Sequence, residues 1–235
     1  MLDVSGSMEG NLPLLHAASE QLFGRLRPDD VARVGSFGRE IVISTGFTHD
    51  ARELQRALPR AIAPDAPTPL YAAIGEALDA FEDGDQRRRV VLVLSDGKDT
   101  GPVDFRRRPV SQAEVIDRAR ITDVMVYGVG MRSRRSRPLT PAPGPRGMQD
   151  MLAADMADPG LARVAEETGG GYLEIRFGED LAAAFASVAD ELHTQYLLGF
   201  VPPARDGKRH DVSVRVLPQG GMKARARRDY VAPKD

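Results

Sequence analysis

The residues best suited to chemistry stand at the start of the chain, in the segment MLDVSGSMEGN. Asp3, Ser5 and Ser7 are spaced two apart, and Gly6 and Gly10 give the segment the composition of a tight loop. One carboxylate and two hydroxyls in a loop supply the oxygen atoms that hard divalent cations prefer. The same three side chains could instead form local turns and cap the next helix. The spacing alone leaves both interpretations open.

Two further segments supply similar groups. Thr68 precedes the helix-like segment PLYAAIGEALDAF, and Asp96 directly follows the apolar run RVVLVLS. Thr68 with Pro69 is also a good helix N-cap pattern, and Asp96 alone could be a turn residue. Together with the first loop they give two carboxylates and three hydroxyls, which with water can hold one Mg²⁺. The candidate metal ligands are therefore Asp3, Ser5, Ser7, Thr68 and Asp96.

The elements that must position these residues alternate between strand and helix. Apolar residues spaced by three and four predict a helix in PLLHAASEQLFGRL, whereas RVVLVLS predicts a strand buried on both faces. DVARVGSF and EIVISTGF are typical of an antiparallel hairpin that turns at Gly38-Arg39. The alternation predicts an α/β fold with a mostly parallel sheet covered on both faces. Ligands bind at the carboxyl ends of such strands, where the polar turns after Leu2 and Leu94 would lie.

The segments LDVSGSM, TPLYAAI and LVLSDGKDT, in this order and separation, resemble the metal-ion-dependent adhesion site of the von Willebrand factor type A domain. The resemblance covers about residues 1–194 and implies a Rossmann-like, doubly wound sheet with one antiparallel edge strand. It also implies that Ser5, Ser7 and Thr68 bind Mg²⁺ or Mn²⁺ directly, whereas Asp3 and Asp96 act largely through water. Because few of these ligands are charged, the cation would attract a carboxylate from a protein partner.

The chain departs from the family pattern at two places. Ala66-Pro67 stands where the family often has two glycines, which stiffens the loop before Thr68. Only Met1 and Leu2 precede Asp3, whereas a strand usually has about 5 to 6 residues. We therefore expect residues upstream of Met1 to complete the first strand, and an extracytoplasmic protein if an export signal precedes them.

The last part of the chain, residues 195–235, departs from the α/β rhythm. QYLLGFVPP, HDVSVRVL and MKARARRDY predict three strands of an antiparallel β extension, with Arg225, Arg227 and Arg228 on its outer face. QYLLGF and RARRDY resemble the β extension of a bacterial subfamily of von Willebrand-related proteins. The preceding domain, residues 1–194, is expected to carry a surface insertion at 131–159, which is rich in Arg, Pro and Gly.

Composition excludes several classes of protein and site. The chain of 235 residues has 32 basic and 34 acidic side chains, and its formal charge of −2 gives no reason to expect nucleic acid as a partner. The absence of cysteine excludes disulfides and thiolate metal sites. No segment approaches the roughly 18 apolar residues of a membrane span, so the chain as given is expected to be soluble. The segment TGGGY lacks the spacing of a dinucleotide-binding loop and is expected to be a turn.

The sequence thus favours a metal-dependent protein-binding module for adhesion or scaffolding, not an enzyme. A metal-assisted hydrolase is the main alternative, because Mg²⁺ held by carboxylates also serves phosphoryl transfer. Against it, the sequence shows no second metal cluster, general base or phosphate-binding loop beside Asp3. A regulatory subunit of an AAA-type ATPase, as some related domains are, is a further alternative.

Overall fold

The computed structural model describes residues 1–81, 87–96, 98–101, 108–131, 159–175, 180–196, 198–217 and 224–234. Strands in these ranges are β1 (Leu2–Asp3), β2 (Gly35–Phe37), β3 (Ile41–Ile43), β4 (Arg89–Ser95), β5 (Val124–Met131), β6 (Tyr172–Ile175), β7 (Arg209–Asp211) and β8 (Asp229–Val231). Helices are α1 (Leu12–Phe23), α2 (Ala51–Arg56), α3 (Leu70–Asp79), α4 (Gln112–Ile121), α5 (Pro159–Glu167) and α6 (Leu181–His193). Most of the predicted insertion, including its arginine cluster, lies outside the described residues.

A six-stranded sheet in the order β3-β2-β1-β4-β5-β6 forms the centre of the molecule. All neighbouring strands are parallel except β3, which pairs antiparallel with β2 at the edge. The short strand β1 is central, because Leu2 lies opposite both Ser36 of β2 and Leu94 of β4. The sequence prediction of a mostly parallel, doubly wound α/β sheet with one antiparallel edge strand is confirmed.

Helices cover both faces of this sheet, because side chains on the buried strands alternate between two hydrophobic clusters. Val91 and Val93 of β4 pack with apolar residues of α3, α4 and α5. Leu94 and Tyr127 pack on the opposite face with apolar residues of α1, α2 and α6. Both faces of β4 and β5 are thus apolar, as the continuous runs in the sequence predict.

Polar side chains begin several of these helices and fix where the loops end. Asp50 accepts a hydrogen bond from the Arg52 amide at 2.8 Å at the start of α2. Ser111 accepts one from the Glu114 amide at 3.2 Å at the start of α4, and Asp180 one from the Ala182 amide at 2.9 Å at the start of α6. These caps satisfy amide groups that the first helical turn leaves without a partner.

The β extension differs from the prediction in two respects. Within its described residues it has two paired strands, β7 and β8, rather than three, and the alternating segment DVSVRVL leaves the sheet after Asp211. The predicted inner face is not a buried one, since Val214 is 37% exposed and Val212 and Val216 are only half-buried. Arg225, Arg227 and Arg228 do not form an outer face, because each pairs with an acidic side chain of the α/β part.

Across the described residues, none of the helices has both the length and the apolar character needed to cross a membrane.

Candidate metal site

The carboxylate of Asp3 lies at the carboxyl end of β1 and is completely buried. Its Oδ1 accepts a hydrogen bond from the Ser5 amide at 2.8 Å, and its Oδ2 accepts one from Ser95 Oγ at 2.5 Å. The first bond closes a side-chain turn, and the second joins the first loop to the end of β4. Asp3 is therefore held from both neighbouring segments at the edge of the sheet.

A row of oxygen atoms connects the first loop to Asp96. Ser5 Oγ lies 3.0 Å from Ser7 Oγ, and Ser7 Oγ donates to Asp96 Oδ1 at 2.6 Å. Ser5 and Asp96 are buried, whereas Ser7 is partly exposed. The parallel pairing of β1 with β4 brings these side chains together although about ninety residues separate them in sequence.

Thr68 lies on a loop that packs directly against the first one. The Gly6 amide donates to Ala66 O at 3.2 Å, and a Cβ built at Gly6 would stand only 1.8 Å from Pro64 O. Thr68 is buried, and its amide donates to Thr100 Oγ1 at 2.9 Å. The structure thus joins Asp3, Ser5, Ser7 and Asp96 through side-chain contacts, and it attaches Thr68 to the site through the backbone.

Helix capping does not account for these residues. The N-cap of α3 is Pro69 rather than Thr68, and the Tyr71 amide near the start of α3 donates to Asp99 Oδ1 at 3.2 Å. Ser5 precedes a short 3₁₀ turn without a side-chain capping bond, and α1 begins after Asn11. The turn interpretation is correct for Asp3, which accepts from the Ser5 amide.

Sequence reasoning missed Ser95, Asp99 and Thr100 as supporting residues of the site. Ser95 binds Asp3, Asp99 caps α3, and Thr100 accepts from Thr68. All three belong to the polar segment SDGKDT that follows β4. The number of hydroxyl and carboxylate groups in this short segment could have indicated these supporting residues, because a single turn needs fewer such groups.

Burial raises the pKa of Asp3 to about 6. Hydrogen bonds from Ser5 and Ser95 act in the opposite direction, and the nearby charge of Asp96 adds to the rise. Two carboxylates at a buried edge thus favour a proton or a cation between them. A divalent cation would relieve this repulsion because it favours the ionised form of both groups.

The donor set fits a hard divalent cation. Mg²⁺ binds oxygen at about 2.0 to 2.1 Å in an octahedron, which places neighbouring ligand atoms roughly 2.9 Å apart. The Ser5–Ser7 and Ser7–Asp96 separations of 3.0 and 2.6 Å are those of hydrogen bonds, and oxygen atoms this close together could share one cation. Within the described ranges no group of three or more His, Asp or Glu side chains is suited to a metal.

Comparison with known proteins identifies the fold family that the first part of the chain resembles. A family model for the von Willebrand factor type A domain matches residues 1–98, which include all five candidate ligands. No protein among the curated ones matches the sequence.

Solved structures share the fold at low identity. An aerotolerance-related membrane protein from Bacteroides fragilis NCTC 9343, carrying multiple mutations to serine, is 15% identical with a TM-score of 0.57, over 83% of this chain and 96% of that chain. A von Willebrand factor type A protein from Catenulispora acidiphila is 17% identical with a TM-score of 0.58, over 80% of this chain and 40% of that chain. The vWF domain of the type V pili tip protein Mfa5 from Porphyromonas gingivalis is 12% identical with a TM-score of 0.56, over 86% and 96%. Residues 1–98 therefore carry the von Willebrand factor type A signature, and the sheet that continues through β6 has the fold of that family.

Proposed function

We propose that the chain binds Mg²⁺ or Mn²⁺ at Asp3, Ser5, Ser7, Thr68 and Asp96 and uses the cation to capture a protein partner through an acidic side chain. The observation that carries this proposal is the row from Ser5 Oγ through Ser7 Oγ to Asp96 Oδ1, which lies beside the buried Asp3 at the carboxyl edge of the sheet.

Each residue has a distinct task in this proposal. Asp3 is a charged anchor that orders the first loop, because it accepts bonds from both Ser5 and Ser95. Ser5, Ser7 and Thr68 offer neutral oxygen ligands, and Asp96 adds the second negative charge. A bound cation would keep part of its positive charge and would attract a carboxylate from the partner.

The comparisons support an interaction module as the class of function. Proteins that share the fold include a type V pili tip protein and a pilus adhesin, SpaC, from Lactobacillus rhamnosus GG. An adhesion or scaffold role for this chain is the corresponding proposal. It requires no catalytic residue.

Calorimetric titration with Mg²⁺ and Mn²⁺ tests the metal site. We expect one divalent site of modest affinity, since a cation with few charged ligands keeps several waters. Asp3→Ala should abolish binding, and Ser7→Ala should weaken it severalfold. Ser213→Ala is the matched control, because Ser213 is exposed in the β extension and should leave the titration unchanged.

A pull-down with the immobilised protein tests partner capture. We expect a partner that is released by chelator, recovered with Mg²⁺, and lost when one acidic residue on its surface is replaced by alanine. Thr68→Ala should reduce capture more than metal binding. Capture that ignores both chelation and Asp3→Ala would overturn the proposal.

A further inference from the structure

The described parts of the β extension contact the helices through ion pairs. We call residues 208–212 and 224–232, which contain β7 and β8, the strap. Arginines of the strap pair with acidic residues of α4, α5 and α6 and of the turn just beyond α4. These pairs are Arg209 with Asp117 at 2.6 Å, Arg225 with Glu191, Arg227 with Asp123, and Arg228 with Glu166.

One contact of the strap surrounds Arg120, whose side chain is 9% exposed. Its guanidinium lies 2.5 Å from Glu167 Oε2 and 3.0 Å from Asp229 Oδ2 of the strap. Among the described residues, Arg120 Nε and Asp229 Oδ1 are buried without a hydrogen-bond partner. A cavity of about 410 Å³ lies beside both side chains. Such unpaired atoms regain hydrogen bonds to water when a contact opens.

The strap lies directly against the glycine segment before β6, which we call the glycine seat. A Cβ at Gly169, whose φ is +80°, would stand 2.9 Å from the Arg227 amide nitrogen. A Cβ at Gly171 would stand 2.9 Å from Arg225 Nη1. The close approach of the strap backbone therefore requires glycine at position 169, whereas a side chain at position 171 would meet the end of the Arg225 side chain and the ring of Tyr127.

Apolar burial adds little to this contact. Ala232 is buried, but Val231 is 50% exposed, and the ring of Tyr230 packs on Phe200 within the extension itself. The side chains of the Arg209, Arg225, Arg227 and Arg228 pairs are between 37% and 69% exposed. Salt screens exposed pairs of this kind far more than it weakens apolar packing.

We propose that the strap is a salt-sensitive clasp that opens and closes as a unit over the amino edge of the sheet. Asp123 directly precedes β5, and the glycine seat directly precedes β6, so the strap lies at the edge opposite the candidate metal site. Opening would uncover these acidic side chains of α4, α5 and α6 and of the turn after α4, and would leave the metal edge unchanged.

Hydrogen exchange measured by mass spectrometry tests the clasp on the full chain. We expect exchange of residues 224–232 and 168–172 to rise severalfold from about 0.1 M to about 1 M NaCl, as the Debye length falls from about 10 Å to about 3 Å. Asp123→Asn combined with Glu166→Gln should raise exchange at low salt. Asn suits Asp123, because the φ of 57° there is one that Asn tolerates.

Three further variants make the result specific. Glu114→Gln is the control, since it removes an equally short ion pair, with Arg108, outside the strap. Exchanging the charges of one exposed pair, with Arg228→Glu and Glu166→Arg together, should restore slow exchange that Glu166→Arg alone has lost. Slow exchange at both salt concentrations in every variant would mean that packing fixes the strap. Fast exchange of the strap in the wild-type protein at low salt would mean that the ion pairs do not hold it in place. Either result overturns the proposal.

Discussion

Asp3 shows how one residue can serve both the fold and the site. It has no exposed surface, yet Ser5 and Ser95 donate to its two oxygens, and Asp96 stands beside it. Burial raises its pKa to about 6, compared with 3.8 for an ordinary Asp. The folded protein without metal therefore binds a proton here more tightly than the unfolded chain does.

The sign of the resulting pH effect can be measured. In chelator, the contribution of Asp3 to stability is fully present below pH 3.8 and is lost as the pH rises through about 6. A shift of this size corresponds to roughly 3 kcal/mol. Urea unfolding should show this loss in the wild-type protein but not in Asp3→Asn, whose amide does not titrate. Mg²⁺ affinity should fall about tenfold per pH unit below the pKa. Equal dependence of stability on pH in the wild-type protein and in Asp3→Asn would contradict the raised pKa of Asp3.

At the scale of single residues, the sequence indicated candidate ligands but not the residues that hold them in place. Asp3, Ser5 and Ser7 could be selected because their spacing places three oxygens in one short loop. Ser95 could not, because its bond to Asp3 joins positions 92 residues apart and depends on how β1 and β4 align. Such a register is set by packing of the whole sheet rather than by a local pattern.

At the scale of secondary-structure elements, the start of α3 is connected to the candidate metal site through Asp99. Asp99 Oδ1 accepts from the Tyr71 amide, and Asp99 Oδ2 accepts from the Gly101 amide at 3.1 Å. One carboxylate thus fixes both the helix that follows Thr68 and the loop that follows Asp96. The order of these two loops depends on the same cap.

We expect Asp99→Ala to lower stability by about 1 kcal/mol, the usual cost of a lost cap, and also to weaken Mg²⁺ binding. Asp50→Ala is the matched control. It removes a cap of the same kind from α2, where Asp50 accepts from Arg52. Urea unfolding should show similar losses for the two variants, whereas calorimetry should show weaker Mg²⁺ binding for Asp99→Ala alone. Unchanged Mg²⁺ binding in Asp99→Ala would contradict the prediction, because it would show that the candidate metal site does not depend on this cap.

Element prediction was accurate where the chain is buried and failed where it is not. β4 and β5 could be predicted because both of their faces contact helices, which demands continuous apolar runs. The alternation in DVSVRVL predicted a longer strand than β7, because the pattern assumes a core beneath one face. Val214, in the middle of that face, is exposed instead.

For the whole molecule, the division at residue 194 stays a prediction. A chain that ends at Thr194 should keep its Mg²⁺ affinity within about twofold, because the strap lies at the opposite edge of the sheet from Asp3 and Asp96. It should lose on the order of 2 kcal/mol of stability, since the exposed strap pairs contribute little each. Calorimetry and urea unfolding measure the two quantities. A truncated chain with native circular dichroism that no longer binds Mg²⁺ would contradict this separation.

The opposite positions of the metal edge and the strap also set the direction in which the molecule would carry a mechanical load. A pull between a partner held at Asp96 and an anchor attached through the strap would run lengthwise along β4 and β5. These strands pair in parallel register from Arg89 with Val124 to Ser95 with Gly130, so their hydrogen bonds would be strained together in shear. The exposed ion pairs of the strap would break before the hydrogen bonds between β4 and β5. The strap would therefore be the first part of the molecule to extend under load.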